Sequence, residues 1–290
     1  MQYSVSIYSY GTYRAEDKLG LEGIIRKTKE LGFDGIDFTG YSPDTENVMG
    51  IAQRARELCG ELGLAINNVC FAADFLNGSN GVLKDEIERV KKCVDIAEAF
   101  GVKLMRHDPG HAYPVSVKTG RSFDCAIPRL AEGCREVTKY AEQKGIETCI
   151  ENHGQFAQDA ERVEKLINEV DSPNFGALVD IGNFMCADQD PAKAVGILAP
   201  YAKYAHAKDF YFKEGYLDNP GEGWFMSRAG NYLKGAIIGH GAVPVRQCIN
   251  ILKKAGYDKG FSIEFEGKED NIEGIRIGLA NLRRFCEDKI

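Results

Sequence analysis

The sequence predicts a (β/α)8 barrel, the TIM-barrel architecture, with all 290 residues in one domain. Three observations lead there. Eight short apolar or β-branched runs recur at intervals of roughly 30 to 40 residues. Amphipathic segments that end near glycine separate them. No G-x-G-x-x-G follows the first run, which weighs against a dinucleotide-binding open sheet. An alternating βα order gives a parallel sheet, and eight units close into a barrel, with an open doubly wound sheet as the alternative.

The strand runs are YSVSIY from Tyr3, GIDFT from Gly35, LAINNVCF from Leu64, VKLMRH from Val102, IETCIE from Ile146, GALVDI from Gly176, YAHAKD from Tyr204 and FSIEFE from Phe261. Between them, LKDEIERVKKCVDIAEAFG places Ile87, Val90, Val94 and Ala97 at three- and four-residue steps and closes on Gly101. EGIIRKTKELG, VMGIAQRARELCGELG and IPRLAEGCREVTKYAEQKG follow the same rule. One connection breaks the rhythm. After the seventh strand, FYFKEGYLDNPGEGWFMSRAGNYLKGAIIGHGAVP is far longer than an ordinary βα loop and holds the only tryptophan, Trp224. Long loops at strand C-termini build the pockets of barrel enzymes, so this segment is expected to cover a substrate.

Composition narrows the function. With 44% hydrophobic and 27% charged residues the chain is supplied for a large core. A net charge of -7 disfavours nucleic acid and suits small, weakly charged substrates. No basic segment leads into an apolar one at the start, and no run reaches the roughly 18 apolar residues of a membrane helix; a cytoplasmic, membrane-free protein is expected. Nine cysteines, odd in number, scattered from Cys59 to Cys286 and without a C-x-x-C pair, read as reduced thiols.

In barrels the strand ends carry chemistry. Glu151 ends the fifth strand in CIENHG, Asp180 the sixth in LVDIGN, His206 lies on the seventh in YAHAKDF, and Glu264 on the eighth in SIEFEG. Alternation puts Ser262, Glu264 and Glu266 on one face of the last strand, so both glutamates are expected to point inward. Three carboxylates without a cation repel one another, whereas a divalent ion reverses that logic. An oxygen-rich set with one imidazole suits Mn2+ foremost, with Mg2+, Co2+ and Zn2+ as alternatives.

ENHG, VDIGN, HAKD and IEFEG at successive strand ends, together with SIYSY, ELGFDGID and GHGAVPV, resemble the xylose isomerase-like barrels, specifically the sugar phosphate isomerase/epimerase group. The resemblance covers nearly the whole chain and implies Glu151, Asp180, His206 and Glu264 as metal ligands. It further implies Glu151 and Glu264 as an acid/base pair moving a proton next to a carbonyl of a keto-sugar through an enediolate. One position departs from the epimerases of this group, which usually carry a histidine three residues after the aspartate; here Asn183 stands there. The long segment with GEGWF and SRAG differs as well.

Other strand-end groups are candidates. His107 and His153 are expected as further acid/base residues, and His111, Lys208, Arg228, His240 and Trp224 as substrate contacts; each histidine has the alternative of bonding a backbone or carboxylate. Lys208 is a candidate for a substrate oxyanion or phosphate, with a buried ion pair to Glu266 or Asp209 as the alternative, and Arg228 is a weaker candidate for a phosphate or hydroxyl. The leading expectation is a metal-dependent sugar isomerase or epimerase. The alternative is a lyase or dehydratase on a 3-oxo-glycoside or inosose, with His107 or His153 protonating a leaving group. Two other readings are weaker. An apurinic endonuclease of this fold needs several metals, many histidines and a cationic track, against five histidines here; a non-catalytic barrel would have lost ligands that are all present. Barrels of this group commonly pair, so a homo-oligomer is expected, and the lyase reading leaves room for a small partner subunit.

Overall fold

The computed structural model describes residues 1–287. Its strands are β1 (Tyr3–Ser6), β2 (Gly35–Thr39), β3 (Ala65–Phe71), β4 (Leu104–His107), β5 (Glu147–Glu151), β6 (Phe175–Asp180), β7 (Ala202–Ala207), β8 (Asp209–Lys213), β9 (Phe225–Met226), β10 (Tyr232–Ala236) and β11 (Phe261–Ile263). The helices are α1 (Gly11–Ala15), α2 (Gly20–Glu30), α3 (Val48–Leu62), α4 (Leu83–Phe100), α5 (Phe123–Glu142), α6 (Ala160–Val170), α7 (Pro191–Leu198), α8 (Val245–Lys254) and α9 (Asn271–Glu287). β1, β11, β7, β6, β5, β4, β3 and β2 close, in that order, into a parallel barrel, as the eight apolar runs predicted.

Two apolar layers hold it. Outward-facing strand residues such as Val5, Ile36 and Ile263 merge with the inner faces of the helices into one extended core. Inside the barrel, Cys70, Leu104, Cys149, Leu178 and Tyr204 form a smaller cluster below the strand ends. In α4, Ile87, Val90, Val94 and Ala97 are buried at the predicted spacing, and Gly101 caps the helix at a φ of 78°. All nine cysteines are unpaired. Among the described residues no helix is long and apolar enough to cross a membrane.

Several strands are shorter than their runs, and for β1 and β11 a side chain explains where they stop. β1 stops at Ser6, whose hydroxyl accepts the Tyr8 N–H at 3.3 Å and starts a 3-10 turn over Ile7–Tyr10. β11 stops at Ile263, because Phe265 donates its N–H to Ser9 Oγ at 2.9 Å instead of to a neighbouring strand.

The long connection is also more ordered than a loop. β8, β10 and β9 form a separate antiparallel sheet in the order β8-β10-β9. Its base is clamped by the Asp209 carboxylate, which accepts N–H groups of Phe210, Gly239, Gly241 and Val243 at 2.8 to 3.1 Å. Its tip is held by Asp188, which accepts the Ser227 hydroxyl at 2.6 Å, the Asn231 amide at 2.8 Å and the Ala229 N–H at 2.5 Å. β10 lies against the backbone of Glu266 and Gly267 so closely that a Cβ at Gly235 would collide with it.

Candidate metal centre and active-site cavity

Register assembles the centre. Asp180 on β6 pairs with His206 on β7, and His206 pairs with Ser262 on β11, so these side chains share the barrel interior, and Glu264 follows two residues on. Glu151 comes from the end of β5. One ligand atom from each of Glu151, Asp180, His206 and Glu264 lies within 4.8 Å of the others, the first three residues buried and Glu264 partly so.

The donor set fits a divalent cation. His206 Nδ1 and Asp180 Oδ2 are buried with no hydrogen-bond partner, the state expected of ligands turned toward a cation. Asp180 spends its other oxygen on the N–H groups of Gly182 and Asn183 at 2.8 and 2.9 Å. Gly182 serves a second purpose: a Cβ there would meet the Lys208 carbonyl at 2.7 Å. Burial pushes the Asp180 carboxyl up to about 6, with Lys208 opposing the rise.

The two glutamates divide their oxygens alike. Glu151 Oε1 lies 3.7 Å from His206 Nδ1 while Oε2 lies 2.7 Å from Arg106. Glu264 Oε1 lies 3.5 Å from His206 Nδ1 while Oε2 lies 2.9 Å from Lys208. Burial would raise both carboxyls, but Arg106 and His206 hold Glu151 well below the usual range, and Lys208 and His206 lower Glu264. Lys208 also lies 3.5 Å from Asp180 and 3.9 Å from Glu266 and donates to Asn183 Oδ1 at 3.2 Å.

Two neighbours of these groups, Arg106 and Asp37, were missed in the sequence, whereas Asn183 was noted there. Arg106, 7% exposed, also pairs with Asp108 at 3.0 Å. Asp37 on β2, fully buried, places Oδ2 3.7 Å from His206 Nε2 and so leaves Nδ1 for the centre. Asn183 donates to Glu151 Oε1 at 3.0 Å, an amide where a histidine is usual in the resembling epimerases.

Above the centre opens a cavity of about 670 Å3 bounded by Tyr8, Arg106, His153, Lys208, Phe225 and Glu266, among others. A larger groove of about 850 Å3, lined by Pro244, Ile251 and Phe285, lies beside α8 and holds none of the candidate ligands. The excursion supplies part of the chemical cavity's wall through Phe210, Gly223, Phe225 and Gly235.

The remaining candidates scatter. His153 is on the cavity wall, its Nδ1 3.7 Å from Asp108 Oδ1, and that carboxylate raises its pKa against the opposing effect of burial. His107 turns the other way, fully buried between Phe75 and Phe175, where burial pushes it down to about 4. It does not line the cavity, and Arg106, one residue earlier, does. His111 is exposed beside Gly154, and His240 is exposed in the turn before α8; neither lines the cavity. Arg228 is spent on a two-pronged pair with Asp159 at 2.6 and 2.9 Å and lies off the wall. Trp224 sits between two wall residues, Gly223 and Phe225, without lining the cavity itself. Lys208 does line it, with its charge committed to carboxylates.

The family model described as "Xylose isomerase-like TIM barrel" matches residues 25–285. The chain belongs to this family. Among the curated relatives, an inosose dehydratase of Bacillus thuringiensis (strain Al Hakam) is 26% identical over 141 residues, 48% of this chain and 46% of that protein, so the match spans about half of the relative. A 3-oxo-isoapionate decarboxylase of Pectobacterium atrosepticum is 22% identical over 245 residues, covering 83% of this chain and 77% of that protein. The structure of D-psicose 3-epimerase with D-tagatose from Clostridium cellulolyticum H10 superposes with a TM-score of 0.75 at 14% identity, covering 99% of this chain and 100% of that one. This last likeness shows the fold alone.

Proposed function

We propose that this protein is a divalent-metal-dependent isomerase or epimerase that moves a proton next to the carbonyl of a keto-sugar. The observation that carries the reading is the shared pattern of Glu151 and Glu264, each with one oxygen beside His206 and the other on a buried cation. A bound divalent ion, Mn2+ foremost, held by Glu151, Asp180, His206 and Glu264, would polarise a carbonyl and acidify the adjacent C–H. The residues of the chain supply the rest. Arg106 and Lys208 keep the two glutamates ionised, the form in which a carboxylate can accept a proton. Asn183 fixes Glu151 Oε1, and the Asp37 carboxylate faces His206 Nε2 across 3.7 Å.

A second reading, elimination from a 3-oxo-glycoside or inosose, is favoured by one observation. His153 stands on the cavity wall with its pKa raised by Asp108, suited to hand a proton to a departing β-substituent. The name of the inosose dehydratase relative agrees with it. The test is a mass-spectrometric screen of Mn2+-loaded protein in D2O against ketoses, sugar phosphates, inososes and 3-oxo-glycosides, beside Glu151→Gln and His153→Gln. Deuterium uptake without loss of a fragment, abolished by Glu151→Gln, supports the isomerase. Loss of water or an aglycone that depends on His153 supports the lyase, and no metal-dependent change on any compound refutes both.

A further inference from the structure

We infer that Tyr8 and Glu266 form a specificity-determining pair that accepts a neutral hydroxyl of the ligand and excludes phosphate, so that the substrate is an uncharged, unphosphorylated carbohydrate. The inference rests on the carbohydrate reading above and narrows it.

The cations come first. Arg106 is divided between Glu151 and Asp108, and Lys208 between Glu264 and Asp180. Arg228, the excursion's candidate for phosphate, is consumed by Asp159. His153 has Asp108 as its partner. Against these stand the carboxylates of Glu151, Asp180, Glu264, Glu266 and Asp108, and a divalent ion would bring that set only to near neutrality. Among the described residues that line the cavity, no cation is left without a carboxylate to balance a phosphate dianion, which elsewhere is recognised by uncommitted arginine or lysine; Arg14, bonded to the Thr39 carbonyl, and Lys268, beside Gly223, lie outside the wall.

The acceptor comes second. Glu266 lines the cavity with a side chain 22% exposed. Its Oε2 accepts the Tyr8 hydroxyl at 2.9 Å, which fixes the carboxylate, and its Oε1 accepts no hydrogen bond among the described residues. An ionised carboxylate accepts only, so it pairs with a hydroxyl donor and repels a phosphate oxygen. The exposed rings of Tyr8 and Phe225 on the same wall offer apolar faces to the C–H surface of a sugar.

The experiment is calorimetric titration of Mn2+-loaded wild type, Glu266→Gln and Tyr8→Phe with D-fructose, D-fructose 6-phosphate and inorganic phosphate as probes. The free sugar is expected to bind at least about tenfold more tightly than its phosphate ester to wild type. That ratio is expected to fall to about threefold or less in Glu266→Gln, with Tyr8→Phe between the two. The inference is overturned by an ester or inorganic phosphate that binds as tightly as the free sugar, by a ratio unchanged in Glu266→Gln, or by absence of binding of the free sugar. Turnover in the mass-spectrometric screen judges the parent reading separately. Turnover of phosphate esters alone would sink the inference and leave metal-dependent carbohydrate chemistry standing, whereas selective sugar binding without any turnover would do the reverse.

Discussion

Replacing Lys208 with methionine tests whether the carboxylates of the centre are neutralised from within. Methionine keeps the unbranched stem and removes the ammonium, which lies 2.9 Å from Glu264, 3.5 Å from Asp180 and 3.9 Å from Glu266 in a side chain 6% exposed. Leaving a buried charge without its partner costs about 3–5 kcal/mol. At roughly 2.1 cal/mol/K per residue, a chain of this size unfolds with an entropy of about 0.6 kcal/mol/K, so the expected loss in Tm is about 5–8 °C. The assay is differential scanning calorimetry in chelator and again in saturating Mn2+. Because a divalent ion supplies the missing charge, the deficit is expected to shrink to below about 2 °C with Mn2+. A variant within about 1 °C of wild type in chelator would refute the neutralising role. An undiminished deficit in Mn2+ would refute the idea that a cation occupies the same basin.

Three further outcomes follow from the geometry. Burial lowers the His206 pKa, but Glu264, Asp37 and Glu151 raise it well above the ordinary imidazole value, so a ligating His206 must lose a proton at every pH below that level. Mn2+ affinity, followed by electron paramagnetic resonance between pH 6 and 8, should therefore rise with pH by about tenfold per unit, and a flat profile would remove His206 from the ligand set. Asp37→Asn, which weakens the hold on His206 Nε2, should cost about 10–100-fold in Mn2+ affinity; unchanged affinity would show that the ring is held by packing alone. Arg228→Ala cuts the pair with Asp159, so hydrogen exchange over residues 223–231 should accelerate while Tm moves by less than about 2 °C. Exchange unchanged in that segment would mean that Asp188 alone holds the tip.

Strand ends were legible in the sequence because period-two alternation and eight-unit spacing survive every local irregularity. Glu151, Asp180, His206 and Glu264 were found that way, as polar groups at positions where a barrel offers only packing or chemistry. What was lost was parity. In VKLMRH the histidine drew attention, yet Leu104 belongs to the interior cluster, so Arg106, two residues on, shares its face and His107 does not. Asp37 in GIDFT was readable by the same rule, as a carboxylate in the middle of an apolar strand. The excursion hid its sheet because a βα repeat leads one to expect a helix after β7, and the tight approach at Gly235 is set by residues 31 positions away in the chain. Commitments of charge were not readable either. For Lys208 an ion pair with Glu266 or Asp209 stood as the alternative, but only the fold shows that Glu264 and Asp180 lie nearest it and that Asp159 answers Arg228.

The small sheet of β8, β9 and β10 is anchored by the clamp at Asp209, by Asp188 and Asp159 at its tip, and by the close approach of Gly235 to Glu266 and Gly267. Its strands pair with one another and with none of the eight that close the ring. Mutations in its distal half can therefore accumulate without testing barrel closure, while every change at Phe225 or Gly223 alters the shape of the cavity. The shape of the cavity mouth and the closure of the ring thus rest on different stretches of chain, and rebuilding that appendage would reshape the one while the strands that carry Glu151, Asp180 and His206 stay as they are.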